Sequence, residues 1–322
     1  MGSSMACQIC SERTEEPNKI INDVSLSRQY SPVLLKTPKI KEKINERKLK
    51  EQIVEGFGII EWENKSIFKG NIKDNYANGW GKYYHPLNGE YKGEYLNDQP
   101  NGYGIYSHIT NSYYEGMWKN EKQDGIGIEN WTDNSIYKGE FENGKKKGVG
   151  EYIFPDGKIY FGEWDNNNMN GYGIFYYNEG DIYYGKWKNG VKDGYGEIYG
   201  KNNWFFSGFF KNNAQNGFFI YYNINNDKLI VGFKLNGKIN GICKIFDSDE
   251  NEKVYLFHEG KKVKEIKNNQ QLEFFVSEDN QKFLYFFLTP KNELEDYLQN
   301  KINIDSNRKE LDNIFQHTNS LC

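Results

Sequence analysis

Glycine recurs along this chain every 23 residues, at Gly70, Gly93, Gly116, Gly139, Gly162, Gly185 and Gly208, with Gly232 following after 24. A second series runs nine residues behind the first, at Gly79, Gly102, Gly125, Gly148, Gly171, Gly194, Gly217 and Gly241, and Gly56 lies 23 residues ahead of it. A third follows two residues later at Gly58, Gly81, Gly104, Gly127, Gly150, Gly173 and Gly196, then lapses to Phe219 and Cys243. A fixed period of this length means one supersecondary unit copied in tandem, each copy resting on its neighbours. Folds assembled from unlike elements are excluded over that stretch.

The residues around the first glycine say what the unit is. Two before and two after it stand Tyr91 and Tyr95, Tyr114 and Trp118, Tyr137 and Phe141, Tyr160 and Trp164, Tyr183 and Trp187, Phe206 and Phe210. Spacing of two puts both rings and the glycine on one face of a strand, where the missing side chain leaves room for a neighbouring ring. The second half, as in Gly148-Val149-Gly150-Glu151-Tyr152, also alternates and reads as the returning strand. Polar turns such as Glu142-Asn143-Gly144-Lys145 join the halves, and Pro155-Asp156-Gly157 and Asn178-Glu179-Gly180 join the copies. Each copy is therefore one β-hairpin. Aromatic residues make up 16% of the chain against 37% for all hydrophobic types, so rings rather than aliphatic side chains have to build the core.

These residues resemble the MORN repeat, whose usual form is Tyr-x-Gly-x-Trp, a short turn with Gly, and then Gly-x-Gly. The resemblance covers residues 55 to about 245 with eight full copies. It departs in the first copy, with Phe68 and Ile72 in the aromatic places, and in the eighth, with Ile230 and Lys234; both read as capping repeats where the ladder of rings ends. The expected fold is mainly β: an elongated single-layer antiparallel sheet of about eight MORN hairpins. Sixteen strands at about 4.8 Å would make a ribbon on the order of 75 Å long. A flexible basic N-terminal segment (1–54) precedes the array (55–245). Residues 246–322 are expected to hold a degenerate repeat, further strands and helices, as a small α/β C-terminal cap.

Two readings of the ladder stand side by side. Tyr91, Tyr95, Tyr114, Trp118, Tyr137, Phe141, Tyr160, Trp164, Tyr183 and Trp187 are either the fold's own core or, in part, an open trough that receives a partner helix, a cytoskeletal component or a second array. Carboxylates such as Glu94, Glu140 and Glu163 fall on the opposite face by alternation and read as a solvated surface. Little here suggests chemistry. His85, His108, His258 and His317 share no repeat position and pair with no Cys, Asp or Glu at metal or triad spacing, so neither a metal nor a cofactor is expected. The run Asp247-Ser248-Asp249-Glu250-Asn251 starts like an EF-hand loop, but Glu252 stands where Gly is needed and His258 where Glu is needed, so it reads as an acidic turn.

The ends carry different signals. Residues 1–50 hold ten Lys and Arg against six Asp and Glu, a net +4, while the whole chain is −4. The chain as a whole therefore offers no basic field for nucleic acid. No run is long and apolar enough for a membrane span or a secretory leader. The start Met1-Gly2-Ser3-Ser4-Met5-Ala6-Cys7-Gln8-Ile9-Cys10 fits N-myristoylation at Gly2 with S-palmitoylation at Cys7 and Cys10, although Ala6 stands where Ser or Thr is preferred. A zinc or redox role for the Cys7-x-x-Cys10 pair is the competing reading. Lys36, Lys39, Lys41, Lys43, Arg47, Lys48 and Lys50 would add attraction to anionic lipid, or else form a solvated helix leading into the first strand. In the tail, Leu272–Val276 and Phe283–Leu288 read as strands, with a buried helix as the alternative, and Thr289-Pro290 as the start of a helix with Leu294, Tyr297, Leu298 and Ile302 on one face.

The resemblance implies a non-enzymatic scaffold whose array binds a partner protein, held at a cytoplasmic membrane face by the acylated start. The alternative is a structural subunit of a ciliary or cytoskeletal, microtubule-associated assembly without a lipid anchor, which places the protein in a cilium or the cortical cytoskeleton. An enzyme is the third reading, because such arrays precede lysine methyltransferase and phosphoinositide kinase domains elsewhere. The roughly 77 residues after 245 are too few for either domain. The oligomeric state is left open by the sequence.

Overall fold

In a computed structural model of the protein, the described residues are 55–246, 252–267, 293, 294 and 298. The acylation motif, the basic run, the acidic turn at 247–251 and the two predicted tail strands lie outside them. The chain divides into two compact units. Among the described residues, the first is 55–178 with Trp187–Gly190, and the second is Glu179–Lys186 with those from Val191 onward.

The first unit holds β1 (Glu55–Glu61), β2 (Ile67–Lys73), β3 (Tyr76–His85), β4 (Gly89–Leu96), β5 (Gln99–Ser107), β6 (Tyr113–Lys119), β7 (Lys122–Asn130), β8 (Ile136–Glu142), β9 (Lys145–Ile153), β10 (Ile159–Asp165) and β11 (Asn168–Tyr176). Each pairs antiparallel with the next. The hairpin turns follow from their residues. Asn97-Asp98, Asn120-Glu121, Asn143-Gly144 and Asn166-Asn167 all take positive φ at both positions, the two-residue turn whose twist matches paired strands. Neighbouring copies are tied at these turns, as where the Asn143 amide donates to Asp124 Oδ2 (3.0 Å) and the Lys146 amide to Asn167 Oδ1 (2.8 Å).

The pairing register explains the glycine lattice. Gly58, Gly70, Gly81, Gly93, Gly104, Gly116, Gly127, Gly139, Gly150, Gly162 and Gly173 oppose one another strand by strand, forming a row without side chains across the unit. Tyrosine rings lie over that row. A Cβ on Gly150 would sit 2.4 Å from the Tyr137 hydroxyl and 2.6 Å from its ring, and Gly127 stands in the same relation to Tyr114. The second glycine series has another cause. Between the Gly139↔Gly150 and Phe141↔Lys146 pairs, one residue of β8 faces three of β9, so β9 bulges. Gly148 turns that bulge at φ 68°, and a Cβ there would meet the Glu140 carboxylate rather than a ring. The alternating reading of Gly148-Val149-Gly150 thus holds only from Val149 onward.

The second unit begins with the same plan, in β12 (Ile182–Lys188) up to Lys186, β13 (Val191–Gly200), β14 (Trp204–Lys211) and β15 (Ala214–Asn223). A 3-10 turn at Ile224–Asn226 leads to β16 (Lys228–Leu235), β17 (Lys238–Phe246), β18 (Glu252–His258) and β19 (Lys261–Ile266). All nineteen strands belong to one antiparallel sheet, three more than eight hairpins supply. The extra ones are the lead-in β1 and a further hairpin, β18–β19, so the repeat architecture runs past residue 245 to Ile266.

A single-layer sheet was expected to bury one face. The second unit departs from that, because Phe205, Phe218, Ile220, Leu229, Val231, Ile242, Phe246 and Val254 form a core on the face opposite the rings. Leu294 and Leu298, both helical, are buried in that same cluster. They and Glu293 are the described part of the expected α/β cap.

Candidate protein-interaction surface

Each strand has a ring face and a reverse face. On the ring face the ten aromatic residues proposed for a partner are all buried, between 0 and 7% exposed. Nine of them, from Tyr95 to Trp187, meet edge to face in series, Tyr160–Trp164 at 5.3 Å among them. Within the first unit the centroid distances are 5.2 Å for Tyr91–Tyr95, 5.3 Å for Tyr91–Trp118, 5.0 Å for Tyr114–Trp118, 5.2 Å for Tyr114–Phe141, 5.0 Å for Tyr137–Phe141, 5.3 Å for Tyr137–Trp164 and 5.3 Å for Tyr160–Trp187. That geometry suits the ring quadrupoles and contributes about 0.5–1.5 kcal/mol per pair beyond burial. The phenols donate to carbonyl oxygens three residues on, Tyr114 to Met117 (2.9 Å) and Tyr137 to Glu140 (3.0 Å), and Trp118 Nε1 donates to the Gly104 carbonyl (3.0 Å). Burial raises the pKa of Tyr91, Tyr114, Tyr137 and Tyr160, which keeps them donors. The trough reading therefore has no exposed ring to rest on; these rings have spent their surface on one another.

The sequence reading missed a charged component of that core. Ala77, Pro100, Gln123, Lys146, Met169, Lys192, Gln215 and Ile239 share one repeat position, and every one is buried on the ring face. Lys146 Nζ lies 4.4 Å from the Tyr152 ring centre, 4.5 Å from Trp131, 5.0 Å from Tyr137 and 5.2 Å from Trp164. Burial lowers its pKa and raises that of Glu129, while their mutual attraction opposes both shifts. Lys192 lies 4.5 Å from the Tyr183 ring, and burial brings it down to about 7 against the pull of Asp181. No period in residue type marks this position, because small, apolar, amide and cationic side chains all occupy it.

The reverse face of the first unit is different. Trp80, Tyr103, Ile126, Val149 and Tyr172, each the middle residue of a Gly-x-Gly, are exposed; Trp80 and Ile126 reach 50% and Tyr172 53%. Exposed Phe57 holds the same place in the lead-in half-repeat, and exposed Met117 pairs with Tyr103. Glu94, Glu140 and Glu163 pair with Trp80, Ile126 and Val149 in this row. They do face away from the rings, yet they are more than solvated surface. Each accepts the amide that its bulge leaves unpaired, from Tyr103 (3.0 Å), Val149 (3.0 Å) and Tyr172 (2.8 Å). A large apolar residue inside every Gly-x-Gly was the sequence signal for this row.

Of the predicted histidines, His85, His108 and His258 are described, and they stand on separate strands and loops. Among the described residues no group of three or more His, Cys, Asp or Glu is placed to hold a metal, and no helix is long and apolar enough to cross a membrane.

The family model described as MORN repeat matches five times, over residues 91–112, 114–136, 137–159, 160–182 and 183–204, so these copies are MORN repeats. None of the curated proteins matches the chain. Among solved structures, the SAS-4 (dCPAP) TCP domain of Drosophila melanogaster, in complex with a proline-rich motif of Ana2 (dSTIL), shares 12% identity over 48% of this chain and 83% of that one, with a TM-score of 0.31. The wild-type TCP10 domain of Danio rerio CPAP shares 11% over 66% and 89%, with a TM-score of 0.29. Likenesses at that level place neither a fold nor a function on this chain.

Proposed function

We propose that this MORN-repeat protein is a non-enzymatic scaffold that binds a partner protein through the reverse face of its first unit. The observation that carries the reading is the periodic exposed row Trp80, Tyr103, Ile126, Val149 and Tyr172 beside a ring face that is already closed. Large apolar residues repeated on one surface of a sheet cost solubility unless something covers them. A photo-crosslinking residue placed at Ile126 in the full chain tests this in cells. A discrete crosslinked protein from Ile126, with none from the exposed turn residue Thr132, is expected. No crosslink from Ile126 would overturn it.

Attachment of the scaffold is a separate proposal. Gly2, Cys7 and Cys10, helped by Lys36, Lys39, Lys41, Lys43, Arg47, Lys48 and Lys50, would hold it at a membrane, since a single myristoyl chain binds only marginally and a second signal is required. Without acylation the same scaffold serves as a fixed part of a cytoskeletal assembly. Metabolic labelling with an alkyne myristate separates the two: label lost in Gly2→Ala supports the tether, and an unlabelled protein that pellets with cytoskeleton overturns it.

A further inference from the structure

We infer that the occupant of the first unit's reverse face is an amphipathic α-helix of the partner, apolar at seven-residue spacing and flanked by Lys or Arg. This rests on the scaffold reading above and names the kind of partner it needs.

The molecule itself shows how this face is covered where it is closed. Phe218 and Ile242 occupy the same Gly-x-Gly position as Trp80 and Ile126, yet they are only 6% and 4% exposed. They lie in the second unit's reverse-face cluster together with Leu294 and Leu298. Both leucines have helical backbone. Helical side chains thus join the cluster that buries Phe218 and Ile242, whereas Tyr195, at the same position and outside that cluster, stays exposed as in the first unit.

Spacing and charge fit the same occupant. Successive copies of the row are two strands apart, about 9.6 Å at ordinary strand spacing, and residues seven apart on a helix are separated by about 10.5 Å. One apolar residue per two helical turns would therefore meet one row residue per repeat, as helix-in-groove recognition requires. The row also interleaves Glu94, Glu140 and Glu163, and the neighbouring reverse-face row carries Glu115 and Glu151. Against these five carboxylates, that neighbouring row offers Lys82, Lys92 and Lys138 across β3 to β11, and two of them are committed, Lys82 to Glu90 at 2.6 Å and Lys138 to Glu151 at 3.6 Å. The surplus of acid favours a helix with basic flanks.

The test uses the full chain and three synthetic 18-residue peptides followed by fluorescence anisotropy and circular dichroism. One is a Leu/Lys helix with leucines at three-, four- and seven-residue spacing, one has the same composition scrambled, and one carries Glu in place of Lys. The first should bind at least tenfold more tightly than either other and gain helicity on binding. Ile126→Glu with Val149→Glu and Tyr172→Glu should weaken it at least tenfold while melting stays unchanged; if melting falls, Ile126→Glu alone replaces the triple change. Equal binding of the scrambled peptide, indifference to these changes, or no binding of any peptide would overturn the helix. Crosslinks from Ile126 to residues 1–54 or to a second copy would overturn a partner as occupant. Absent peptide binding with a crosslinked protein at Ile126 defeats the helix alone, whereas absence of both defeats the scaffold reading too.

Discussion

The copies between Gly93 and Gly173 and those from Gly208 onward solve the same problem with opposite faces. In the former, a tyrosine lies over a row of opposed glycines and the ring face is closed by edge-to-face contacts, so the reverse face carries little of the core. In the latter that device is dismantled. Phe219 takes the place of the opposed glycine, so Phe206 stacks on it at 5.8 Å and 13°, and Ile230 and Cys243 replace ring and glycine one copy later. There the reverse face takes over, with Val231 and Leu229 fully buried and helical Leu294 and Leu298 in the same cluster. What looks like decay of the repeat is an exchange of one core for another, and only the copies that keep the ring device leave a face free.

The largest expected effect attacks the device directly. Gly150→Val drives a side chain into the Tyr137 ring and should cost about 4 kcal/mol or more in urea unfolding, whereas Cys243→Val, at the equivalent position where Ile230 replaces the tyrosine, should cost under about 1.5 kcal/mol. Equal costs would break the comparison. Next comes the second core: Leu298→Ala should cost about 2–5 kcal/mol, and Val149→Ala on the open row should stay within about 0.5 kcal/mol. A large loss at Val149 would mean that the first unit's reverse face is core as well.

A smaller effect is read in pH. Lys192 is held near 7 in the folded chain and returns to about 10.4 on unfolding. Between those values the unfolded state binds the extra proton, so stability should rise with pH from about 7 towards 10. Lys192→Met, which places there the side chain that Met169 already buries one copy earlier, should flatten that rise in urea melts across pH. Above about 10 the buried tyrosines reverse the slope, because they keep protons that unfolded tyrosines release. An unchanged profile in the variant would mean that Lys192 is charged in the fold. Smallest of all, Glu140→Ala should cost about 1 kcal/mol by stranding the Val149 amide, and Glu140→Gln should restore most of it.

Much of this was written in the sequence. The opposed glycines, the Tyr-Gly-Trp pairs and the Asn-Gly turns are local features with fixed spacing, and spacing of two on a strand is enough to place Tyr137 and Phe141 on one face. Gly148 was misread because a bulge shifts the alternation, and a bulge is set by pairing with the next strand. Lys146 was invisible because its position tolerates any side chain that fits under Trp131 and Tyr152. The free row was hidden by an assumption, that the face opposite the rings is polar, although Trp80, Ile126 and Tyr172 plainly contradict it. The cover on the second core was legible only as the helical stripe Leu294–Leu298, with nothing to say where it packs.

Hydroxyl-radical footprinting of the full chain measures the central claim most directly, because it reads the exposure of individual rings and thioethers on both faces at once. Trp80, Tyr103, Met117 and Tyr172 should oxidise readily, while Tyr91, Tyr114, Trp118, Tyr137 and Trp164 stay protected until the chain unfolds. Oxidation of the second group at rates like those of the first would contradict a closed ring face and return the partner to the rings.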